Sequence, residues 1–140
     1  MPCVLHISGK NFQPELALKN VTFKPYQVYK AGDKMNFGKR DAIYSDSGFS
    51  VDVGEDDNNW NLSDQIRWAE IFLEKHFSEL KLISGADELS FDFGYVPRKG
   101  EDGMTMFCQS DCFNPNLLKL CGELQIEIEL SLYGTDSKPE

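Results

Sequence analysis

Leu124, Ile126, Ile128, Leu130 and Leu132 alternate with Gln125, Glu127, Glu129 and Ser131. A period of two sustained this far marks a strand with one apolar face and one acidic face. Such a strand needs a sheet, and the sheet needs a covering layer on the apolar side. Leu89, Phe91, Phe93 and Tyr95 alternate with Ser90 and Asp92 and give a second strand. Phe49, Val51 and Val53 give a third over 48–53, and the short apolar run at 4–8, ended by Gly9, a fourth.

The covering layer is also visible. Ile66, Ala69, Leu73, Phe77 and Leu80 recur at three and four, which predicts a helix over 64–80. Ser63 reads as its N-cap, and Asp64 lies near the positive end. Pro14 opens a short helix over 15–19, and Pro115 opens another over 115–121. Gly122 reads as the left-handed cap of the latter. Residues 21–29 are strand-like but interrupted by Pro25, 30–46 form a polar loop or loose hairpin, and 104–108 read as a short strand. Phe12-Gln13-Pro14-Glu15-Leu16 echoes Phe113-Asn114-Pro115-Asn116-Leu117, which suggests two strand–helix–strand units of similar build. The expectation is one α+β domain over 1–134 with a frayed tail at 135–140. Its sheet is antiparallel or mixed, of about six strands, with one long helix and two short ones.

A chain of 140 residues fits a single domain with a core of its own. The net charge of -9 repels phosphate backbones and anionic lipid, so neither nucleic acid nor membrane is expected as a partner. The same charge favours encounter with a basic protein. No apolar run is long enough to span a bilayer, and the start lacks a basic segment followed by a long apolar one, so a cytoplasmic protein is expected. Cys3, Cys108, Cys112 and Cys121 are expected to be reduced there.

Four segments together resemble a family of small bacterial α+β domains of unknown function. They are Asn11-Phe12-Gln13-Pro14-Glu15-Leu16 after the first strand, the segment from Lys24-Pro25 to Gly32-Asp33, Trp60-Asn61-Leu62-Ser63 before the long helix, and the stretch 117–128. After Pro25 the sequence departs from the family pattern, with Tyr26 and Tyr29 where small residues or tryptophan are common. The resemblance covers most of the chain, and none of its motifs is catalytic. It implies a non-enzymatic domain, and some relatives look like immunity proteins that block a secreted toxin by direct binding.

The residues themselves show little catalytic chemistry. His6 and His76 lie in predicted elements, and no serine or cysteine has a recognisable nucleophile setting. Cys108, Cys112 and Cys121 lack paired zinc-ligand spacing. The stretch Gly54-Glu55-Asp56-Asp57-Asn58-Asn59-Trp60 lacks the alternating acids and central glycine of a calcium loop. No cofactor or metal is therefore expected. Asp52, Glu55, Asp56 and Asp57 on this connector read either as a solvated turn or as the charged edge of a partner site. Trp60 reads as a packing residue at the helix entry. Trp68 and Ile71 point away from the core stripe; either the chain covers them, or they form a contact patch for another protein or a dimer mate. The partner candidates are thus Asp52, Glu55, Asp56 and Asp57, then Trp68. The function expected is binding and neutralising a toxin. The alternative is an intracellular regulatory domain that binds a small molecule or peptide, in an aromatic cleft near Tyr26, Tyr29 and Tyr95.

Overall fold

The computed structural model describes residues 2–35, 42–55 and 58–134. Five strands and three helices follow in the order β1 (Cys3–Gly9), α1 (Pro14–Leu18), β2 (Gln27–Tyr29), β3 (Ser47–Asp52), α2 (Leu62–Lys81), β4 (Glu88–Tyr95), α3 (Pro115–Leu124) and β5 (Ile126–Leu132). The strands form one mixed sheet in the order β2-β3-β1-β4-β5. All pairs are antiparallel except β4 with β5, which are parallel and joined through α3.

Alternation decides which side of this sheet is dry. Cys3, Leu5 and Ile7 of β1, Phe49 and Val51 of β3, and Phe91 and Phe93 of β4 share one face. Ile66, Ala69, Leu73 and Leu80 of α2 and Leu117, Cys121 and Leu124 of α3 complete the core against it. Burying each of these large side chains contributes roughly 1.5–3 kcal/mol. Rings supply much of the filling: Phe91 lies against Phe93 and Phe93 against Phe113. Phe12 sits on Phe49 at the opening of α1, so Phe12 and Phe113 of the repeated five-residue motif both anchor on the core.

Several boundaries differ from expectation. Among the described residues the sheet has five strands, close to the about six expected; 104–108 form not a strand but a loop closed by a bridge between Lys99 and Thr105. Gly103 turns that loop with a positive φ of 78°. Pro25 shortens the second strand to three residues. Asn61, not Ser63, caps α2: its Oδ1 accepts the N–H of Asp64 at 3.1 Å. α3 runs through Gly122 and ends at Gln125, which itself takes the left-handed conformation at φ 57°. On α2, His76 is buried and Phe77 only half-buried, so the core stripe is rotated slightly from the one predicted. His76 fits because Phe23 and Phe72 flank its ring and Nδ1 lies 3.2 Å from a Glu79 carboxylate oxygen. No helix among the described residues is long and apolar enough to cross a membrane.

Candidate interaction surface

The face of the sheet turned away from the core follows from the same alternation. Residues directly opposite on paired strands share a face. One row across the sheet is therefore Gln27, Ser50, His6, Ser90 and Glu127. The next is Asp52, Val4, Asp92 and Glu129, and a third is Tyr29, Gly48, Ser8 and Glu88. Five carboxylates thus lie on one sheet face: Asp52, Glu88, Asp92, Glu127 and Glu129.

Tyrosines shield the β2–β3 side of this face. Tyr29 stacks on Tyr44 at 4.1 Å, and Gln27 donates to the Tyr44 hydroxyl at 2.8 Å. Gly48 is needed below them, since a Cβ there would fall 2.6 Å from the Tyr29 hydroxyl and 2.5 Å from the Ile7 carbonyl oxygen. Burial pushes the phenols of Tyr26 and Tyr29 up, against the pull of hydrogen bonds to Ser50 and Ser8. Asp52 and Asp92 add to the rise at Tyr26, and Asp46 and Glu88 to that at Tyr29, so the acidic field reaches both rings. Tyr95 belongs to the opposite face, packed on the core, so the aromatic group is Tyr26, Tyr29 and Tyr44.

His6 stands at the centre, with Nδ1 2.7 Å from the Ser50 hydroxyl. This contact ties two strands and shows no nucleophile geometry. Ser50 is 2% exposed, shares its hydroxyl with Tyr26, and meets the imidazole nitrogen that a triad gives to its acid. The buried thiols are also poor nucleophiles. Burial pushes Cys121 up to about 11 and raises Cys3 further, with Asp92 and Asp52 adding to the latter. Among the described residues no three His, Cys, Asp or Glu side chains converge as metal ligands.

The contact candidates fall in different places. Asp52 ends β3 and belongs to the acidic face. Glu55 is exposed on the connector, and Asp56 and Asp57 lie outside the described residues. The connector is tied at its far end: Asn59 donates to Asp64, Asn61 N–H donates to Asn59, and the buried Gln65 amide donates to Gly94 and Asn59 carbonyls. Trp60 packs as expected, edge-on to Tyr133 and over Gly94. Trp68 is half-buried because its ring lies on Gly54, where an added Cβ would come within 2.4 Å of it. Ile71 is left exposed. Glu88, Asp92, Glu127 and Glu129 were not among the candidates, although the polar half of each strand's alternation carried them.

A groove lies elsewhere, between α1 and the end of α2. It has a volume of 590 Å³ and is lined by residues that include Asn11, Gln13, Asn20, Glu79 and Ser84. Its carboxylate is already engaged, since Glu79 accepts from the Thr22 hydroxyl at 2.6 Å and the Thr22 N–H at 3.0 Å. Comparison with protein-family models, with curated proteins and with solved structures finds no match for this chain.

Proposed function

We propose that this chain is a non-catalytic protein-binding domain that neutralises a cognate toxin by direct binding, in the manner of an immunity protein. The observation that carries the reading is the sheet face turned away from the helices, with Asp52, Glu88, Asp92, Glu127 and Glu129 on it. A negative field from carboxylates held on paired strands accelerates encounter with a basic protein and orients it. A carboxylate held on a paired strand has little freedom to lose on binding. Glu55, exposed on the connector, extends the same field at the β3 end of the sheet.

The test is direct. The product of the neighbouring gene should be lethal when expressed alone and tolerated with this protein. Its association rate should fall as salt rises, and Glu127→Lys with Glu129→Lys should lower it by about tenfold or more. Reversal of Asp56 and Asp57 should slow it further if the connector joins the surface. A harmless neighbour, or a bound partner whose association ignores both salt and the sheet variants, overturns the reading.

A further inference from the structure

β5 closes the sheet on one side and, among the described residues, pairs with β4 alone. Along a strand, the N–H and C=O of a residue point to one side and those of the next residue to the other. Tyr133 N–H donates to the Tyr95 carbonyl, so Ser131, Glu129 and Glu127, in phase with it, turn their groups toward β4. Ile128, Leu130 and Leu132 turn theirs outward, and among the described residues no second strand meets them.

Proteins blunt long edges with proline, bulges, short strands or inward charges. The opposite edge follows that rule, since β2 has three residues and Pro25 just before it. β5 does not. Its register with β4 runs without a break from Leu89↔Ile126 to Tyr95↔Leu132. Leu130 is 50% exposed and Leu132 60%, both on the helix-covered face, while Glu127 and Glu129 are exposed on the acidic one. An edge this long, apolar on one side and acidic on the other, is complementary to one kind of strand.

The geometry points to β5 as a docking edge for an extended segment of a partner protein that alternates Lys or Arg with apolar side chains. Main-chain pairing to Ile128, Leu130 and Leu132 supplies the attachment, and alternate side chains supply the selection. Cross-strand neighbours share a face, so the basic residues fall against Glu127 and Glu129 and the apolar ones against Leu130 and Leu132. A second copy is a poorer occupant, because each chain carries a net charge of -9 and brings the same two glutamates to the seam. The inference deepens the toxin-binding reading and rests on it for the partner's basic charge.

The probe is a synthetic ten-residue peptide alternating Lys with Val, set against a Glu–Val peptide and a peptide with the same lysines and valines in two blocks. Titration followed by amide exchange should show binding of the alternating basic peptide, with slowed exchange at Ile128, Leu130 and Leu132. The Glu–Val and block peptides should bind at least tenfold more weakly, and Leu130→Lys should weaken the alternating peptide while leaving the circular dichroism spectrum unchanged. Equal binding of the block peptide, or slowed exchange confined to other elements, overturns the inference. So does a protein that is dimeric without peptide and already protected along β5. If the neighbouring gene product binds while the β5 amides keep exchanging, the edge is wrong and the toxin-binding reading stands. If the peptide docks on β5 and the neighbouring product is harmless, the reverse holds.

Discussion

Asn61 and Ser63 are two residues apart, and both have the chemistry of a helix cap. Geometry chooses Asn61, whose side chain receives the Asp64 N–H while its backbone stays extended. Asn61→Ala should therefore cost about 1 kcal/mol of stability, and Ser63→Ala less than about 0.5; chemical denaturation of the two variants checks this. Glu79 makes a different residue-level prediction. Hydrogen bonds from the Thr22 hydroxyl and N–H, then from His76, hold its carboxyl below the ordinary range. A lowered value in the folded state stabilises the protein above the unfolded-state value of about 4.3, and that contribution is lost as pH falls through the folded value. Glu79→Gln should accordingly destabilise more at pH 7 than at pH 3, as measured by thermal unfolding at both. The effect should be modest, since the Glu79 side chain is only partly buried and water screens its carboxylate.

At the scale of elements, the strongest periodicities were legible and the punctuation was not. β4, β5 and α2 were readable because each repeats its pattern for two turns or more, so that one misleading residue does not change the phase. The acidic face was equally readable in Ser90, Asp92, Glu127 and Glu129. That these residues gather on one face with Asp52 and Glu88 was not readable, because the sequence does not show which strands lie side by side. α3 shows how punctuation misleads. Gly122 looks like a terminator but sits inside the helix with no atom near the place a Cβ would occupy, while Gln125 takes the left-handed turn. Gly122→Ala removes a backbone-entropy cost and Gln125→Gly removes strain, each worth about 1 kcal/mol. Each change should raise the melting temperature, as thermal unfolding of the single variants would show. The predicted strand at 104–108 failed for a related reason: Met104, Met106 and Phe107 are apolar enough to suggest burial, yet all three are exposed on a loop.

The whole molecule is organised about an asymmetry between its two sheet faces. One face is dry, aromatic and covered by helices, and the other carries hydroxyls, imidazole and carboxylates. Sequence alternation foretold both faces without foretelling that His6, Ser50 and Ser90 line up in one row. That row depends on register, which is set by pairing between segments more than forty residues apart. The strand order carries a consequence for synthesis. β1 leaves the ribosome before the other four strands but lies in the middle, and needs β3 on one side and β4 on the other. While the chain grows from about residue 52 to residue 95, the β4 side of β1 stands open beside its partly built neighbours. A fragment ending at residue 82 should therefore aggregate where the full chain stays in solution, as light scattering at equal concentration would show. For a nascent chain, the interval before β4 emerges is the period of greatest need for a chaperone.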